Sequence, residues 1–146
     1  MGPLTEHDRA RLVGQLKRDE GTRPYVYTDT TGHLTVAHGH NLETMPLSPS
    51  AMDQILDDDL GTITAGLLHR LPWANGLDGP RLAVLLNMAF NLGISGLMEK
   101  NPKMLAACQA GAFATAATEM LDGPWKDQVH QRADRLAEQM RSGEWI

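Results

Sequence analysis

The sequence has a single cysteine, few aromatic residues and no cluster of basic ones. With Cys108 alone, no intrachain disulfide can form. That residue sits in MLAACQA with no neighbouring base, so it reads as core filling and not as a nucleophile. The net charge is −5 with histidine neutral, and no block of like-signed basic residues occurs. Nucleic acid and an anionic membrane surface both need a clustered cationic footprint, so neither is expected as a partner. A long hydrophobic run is missing too. The most apolar stretch, Leu82 to Met98, is interrupted by Asn87, Asn91, Gly93, Ser95 and Gly96, which suits a buried helix plus a loop and not a membrane span. The opening MGPLTEHDRARL carries charges where a signal peptide would be apolar, so the expectation is synthesis in the cytoplasm with no stable membrane insertion. No internal repeat or low-complexity segment is found, and 146 residues at 42% hydrophobic content are enough for one compact domain.

Helical spacing opens the chain. Leu12, Val13 and Leu16 form an apolar stripe within about Glu6 to Asp19, Glu20 continues it, and Gly21 and Pro24 end it. A hairpin follows, with Tyr25 to Tyr27 as one strand, Thr28 to Gly32 as the turn and His33 to His38 as the second strand, alternating Leu34 and Val36 inward. Ser48 and Pro49 read as N-cap and first residue of a long helix that stops at Pro72. The spacing predicts further helices over Pro80–Leu92, Pro102–Ala110, Phe113–Leu121 and Pro124–Arg141. The fold class expected is α+β: a small N-terminal portion with the hairpin, one long helix, and an all-helical remainder. A cleft between the two portions is the natural place for a ligand.

Two carboxylates flank the hairpin turn. Glu20 lies on the apolar side of the first helix at its C-terminal end, where desolvation and the helix dipole both favour the neutral, proton-bearing acid. Asp29 lies in Thr-Asp-Thr-Thr-Gly, where backbone N–H groups and hydroxyls can hold a carboxylate ionised. Glycoside cleavage needs such a pair: one acid protonates the leaving oxygen, and one carboxylate guides water or stabilises positive charge on the sugar. Thr35, across the hairpin, could hold that water. In the last helix Arg132 borders the apolar stripe of Val129, Ala133, Leu136 and Met140, and a buried guanidinium needs a partner. Glu20 is the candidate partner for Arg132, and Asp19 for Arg135.

Taken in order, RDEGTRPYVYTDTTGHLTVAHGHNL, LLNMAFNLG and WKDQVHQRADRLAEQMRSGEW give a chain that resembles the T-even phage lysozymes and related endolysins, glycoside hydrolase family 24. The resemblance implies a lysozyme-like fold as a single domain over 1–146: a β-hairpin lobe at about 12–58, a connecting helix at about 49–71, and a helical lobe at about 72–146 on which the first helix packs. It implies a muramidase cutting the β-1,4 bond between N-acetylmuramic acid and N-acetylglucosamine, with Glu20, Asp29 and Thr35 as the catalytic group. It places Arg132 against the catalytic Glu, pairs Asp19 with Arg135 and His40 with Asp59, and sets Phe90 and Asn91 in the saccharide cleft. No cofactor is implied. The partner implied is bacterial peptidoglycan, reached from the host cytoplasm through a holin-type pore or by delivery in a virion, with the protein acting on the wall as a monomer.

Two departures from the family pattern stand out. Ala37-His38-Gly39 replaces a Gly-x-Gly step, and the acidic balance contrasts with basic relatives acting on an anionic wall. His33, His38 and His40 with Asp29 contain the donor types of a zinc site; the alternative reading, adopted here, has no metal, His38 on the cleft wall and His33 solvated in the turn. Two other functions stay open beside hydrolysis: a lytic transglycosylase, and a non-catalytic peptidoglycan-binding or metal-binding virion component on the same scaffold.

Overall fold

The structure, a computed structural model, describes residues 4–146. Its architecture is α+β. Helix α1 spans Glu6–Glu20, followed by strands β1 (Arg23–Thr28), β2 (Leu34–Ala37) and β3 (His40–Asn41). Helix α2 spans Pro49–Arg70, and after a 3₁₀ turn at Pro72–Gly76 come α3 (Gly79–Lys100), α4 (Pro102–Gln109), α5 (Phe113–Asp122), α6 (Pro124–Val129) and α7 (Gln131–Ser142). The chain divides into two units after Asp53.

The first unit holds α1 and an antiparallel sheet of order β1-β2-β3. Thr5 starts α1 by accepting a bond from the Asp8 N–H, and Gly21 at φ +80 ends it. The β1–β2 connection is a turn in which the Gly32 N–H reaches the Asp29 carbonyl (3.1 Å) and Gly32 sits at φ +87. Tyr27 faces Thr35 and Thr28 faces Leu34 across β1–β2; Thr35 faces Asn41 and Val36 faces His40 across β2–β3. Thr35 is the one residue of this unit that is buried among those described, and no residue of α1 is buried. The expected apolar stripe of α1 is therefore exposed in the structure, with Leu16 at 45%.

The second unit carries the hydrophobic core, which includes Leu67, Leu85, Met88, Leu97, Met120, Trp125 and Met140. Helix α3 is long and apolar enough to cross a membrane by length and composition, yet here its Val84, Leu85, Met88, Ala89 and Leu97 are buried within this core. Ser48 and Pro49 begin α2 as the sequence predicts, the Ser48 hydroxyl accepting the Ala51 N–H at 3.2 Å. Two helical boundaries differ from expectation. Gly93 (φ 74, ψ 159) kinks α3 but a second helical stretch continues to Lys100, because Leu97 has a core position to fill. The expected single helix from Pro124 breaks at His130 (φ 45), where no glycine or proline marks the change in sequence.

Candidate active site

Glu20 and Asp29 are both set by the first unit. Glu20 is the last residue of α1 and is exposed, so the desolvation expected from its place on the apolar stripe is not found in the structure. Its side chain lies over the β2–β3 turn: a Cβ added at Gly39 would stand 2.9 Å from Glu20 Oε2 and 3.2 Å from its Cβ. Gly39 has φ +77, so both the backbone conformation and this close approach call for glycine.

Asp29 is tied into its turn. Its Oδ1 accepts the Thr31 N–H (2.8 Å), the Thr31 hydroxyl (2.8 Å) and the His33 N–H (2.9 Å), while Oδ2 accepts no bond among the described residues. The His33 N–H first, then the Thr31 hydroxyl, hold the Asp29 carboxyl below its ordinary value of 3.8, and nearby His33 adds a favourable charge. Asp29 is thus kept as a carboxylate, as its turn sequence predicts.

Thr35 is buried at 2% exposure, and its hydroxyl donates to the His33 carbonyl at 3.0 Å. The His38 Nδ1 lies 3.0 Å from the Thr22 hydroxyl and 3.1 Å from the Gly21 carbonyl. Since a carbonyl only accepts, Nδ1 carries the proton and His38 clips the α1–β1 connection to the β2–β3 turn. His40 Nε2 is buried with no hydrogen-bond partner among the described residues. Among the same residues no group of three His, Cys, Asp or Glu side chains is placed to hold a metal ion.

The second unit, taken by itself, carries a groove of about 510 Å³ lined by Leu56, Leu60, Leu86, Asn87, Phe90 and Arg132. Arg132 Nε donates to Asn87 Oδ1 at 2.9 Å and its Nη2 reaches the Asn87 carbonyl at 3.2 Å. Sequence reasoning missed Asn87 as a partner of this guanidinium; its place four positions before Asn91 on the same helix was the available signal. Asp19 pairs with the adjacent Arg18 at 3.0 Å, and Arg135 and Asp59 are exposed. Phe90 is 43% exposed in the groove, whereas Asn91 uses its Oδ1 to accept the Trp125 indole N–H at 3.0 Å. The turn N–H and hydroxyl donors expected on Asp29 are those of Thr31, whereas the His33 N–H, one residue past the turn, was not anticipated.

Residues 17–141 match the model of the phage lysozyme family. The chain belongs to that family. The lysozyme-like α+β fold follows, and T4-type lysozymes are among the relatives. The pre-baseplate central spike protein Gp5 of Enterobacteria phage T4 is 27% identical over 162 aligned positions, covering 92% of this chain but 28% of the spike protein. The probable T4-type lysozymes 2 and 1 of Dictyostelium discoideum are 25% and 22% identical, each match covering 90% of this chain and 94% of the relative.

Proposed function

We propose that this phage lysozyme relative is a muramidase that hydrolyses the β-1,4 bond between N-acetylmuramic acid and N-acetylglucosamine in peptidoglycan. The observation that carries the reading is the asymmetry of the two acids. Asp29 is held ionised by three hydrogen bonds to one oxygen, while Glu20, seated over Gly39, has no hydrogen bond to its carboxyl among the described residues. Two carboxyl groups with different environments are what acid–base division of labour requires. In the proposed reaction Glu20 gives its proton to the glycosidic oxygen, water attacks the anomeric carbon from the opposite face, and Asp29 takes the proton that water loses. A glycan lying over Glu20 excludes water and supplies the desolvation that the exposed side chain lacks. Buried Thr35 orients the water or the strand beneath it.

The supporting pairs belong to the same proposal. They are the pairs that the sequence resemblance implies, Arg132 with Glu20 and Asp19 with Arg135. Pairing with Asp59 would give His40 Nε2 the acceptor it lacks. His38, Phe90 and Asn91 are proposed saccharide contacts, with Trp125 already holding Asn91 in place. We further propose that the protein acts as a monomeric endolysin, made in the host cytoplasm and reaching the wall through a holin-type pore. Similarity to a central spike protein favours a second route, carriage in the virion, which detection of the chain in purified particles would establish.

The test is loss of turbidity of outer-membrane-permeabilised bacteria. Glu20→Gln is expected to abolish lysis while keeping the wild-type thermal midpoint; lysis at the wild-type rate would remove Glu20 from the chemistry.

A further inference from the structure

The β1–β2 turn carries a feature that the two-carboxylate reading does not use. The Thr31 hydroxyl lies 2.8 Å from Asp29 Oδ1 and 2.8 Å from His33 Nδ1. A hydroxyl has one proton to give, and an ionised carboxylate is a stronger acceptor than a neutral imidazole nitrogen. The proton therefore goes to Asp29. The Thr31 oxygen must then accept, so His33 Nδ1 carries a hydrogen and the chain reads His33 Nδ1–H to Thr31 Oγ1–H to Asp29 Oδ1. With the Thr31 and His33 N–H groups also on Oδ1, that oxygen is saturated with donors and Oδ2 is left open.

We propose that Thr31 and His33 are positioning residues for Asp29: they fix the carboxylate through Oδ1 so that Oδ2 alone is presented to the attacking water. The proposal rests on the reading of Asp29 as the base. No covalent step is added; the two residues set the orientation and charge of a group already in place. Of the ionisable side chains, His33 is the one whose charge, when protonated, acts on the Asp29 carboxyl, although Arg23, Tyr25, Tyr27 and His40 are also carried by the three strands. Asp29, Thr31 and His33 follow one another at alternate positions around the turn, with Gly32 at φ +87 bending His33 back toward Asp29. The Asp29 N–H to His33 carbonyl bond (2.9 Å) closes the same loop and keeps the three side chains in register.

The test compares Thr31→Val, Thr31→Ser and His33→Gln. Thr31→Val keeps the shape and the backbone N–H but removes the bridge. It should lower kcat roughly tenfold or more, the scale of losing a hydrogen bond to a charged group, with KM unchanged. The acid limb of its pH–rate profile should move to higher pH, because the carboxylate loses a bond that favours its ionised form. Thr31→Ser should restore both, and His33→Gln should shift the limb in the same direction as Thr31→Val. Wild-type kcat and pH profile in Thr31→Val would overturn the proposal, as would a Thr31→Ser protein as impaired as Thr31→Val. A readout independent of turnover is long-range ¹H–¹⁵N spectroscopy at about pH 8, where an ordinary histidine is neutral. It should show the His33 proton on Nδ1 in the wild type and displaced from it in Thr31→Val. If the wild type cleaves no glycan, the muramidase reading falls; a proton found on Nε2 of His33 in the wild type instead refutes the bridge itself.

Discussion

Gly39 carries two constraints at one position, a left-handed backbone and a close approach by Glu20. Gly39→Ala would strain the turn by about 1–2 kcal/mol and push the Glu20 carboxyl from its seat. The expected outcome is a lowered thermal midpoint together with a fall in lytic rate greater than the stability loss explains; a stable, fully active variant would show that Glu20 does not need this seat. Asp29 makes a different prediction, in pH. Its carboxyl is more acidic in the folded protein than the ordinary 3.8 because of the His33 N–H and the Thr31 hydroxyl. The stability it contributes is therefore complete above the unfolded value and is lost as pH falls through the lower folded one. Thermal midpoints recorded downward from about pH 5 should fall less steeply in Asp29→Asn than in the wild type.

At the scale of elements, the β2–β3 turn is where a residue with a side chain takes a left-handed backbone. Ala37 sits at φ +60, a conformation that costs a residue with a Cβ about 1–2 kcal/mol. Ala37→Gly should raise the thermal midpoint, and a drop would show that the alanine methyl makes a contact worth more than the strain. The Trp125 indole N–H ties α6 to Asn91 of α3. Trp125→Phe keeps most of the buried ring and should cost about 1–2 kcal/mol for the lost N–H donor and the smaller ring, measured by denaturant unfolding. These elements also show what could be read beforehand. The Thr-Asp-Thr-Thr-Gly turn and the Ser48–Pro49 helix start were legible, because each rests on local backbone chemistry carried by neighbouring residues; the hairpin faces were not, since Leu34, expected inward, is 46% exposed and Thr35 is the residue buried. The break at His130 and the continuation of α3 past Gly93 were not. They follow from which side chains find core positions, and local sequence does not encode that. Arg132 was legible as a charge needing a partner, but its bonds to Asn87 depend on how α7 lies against α3.

For the whole molecule, the buried apolar residues described lie in the second unit, while Glu20 and Asp29 belong to the first, which buries only Thr35 among the residues described. Cys108 reports on that core. Burial pushes its thiol up to about 11, and its Sγ lies 3.6 Å from the Met104 sulfur and 3.7 Å from that of Met140. A thiol reagent at neutral pH should therefore modify Cys108 only at the rate at which the second unit opens, and immediate reaction with the native protein would contradict the packing. The chemistry proposed for the first unit is tested most directly by the products of purified peptidoglycan. Mass analysis should find muropeptides with new reducing N-acetylmuramic acid ends and one added water per cleavage, absent with Glu20→Gln. Products ending in 1,6-anhydromuramic acid, or no cleavage by the wild type, would contradict it.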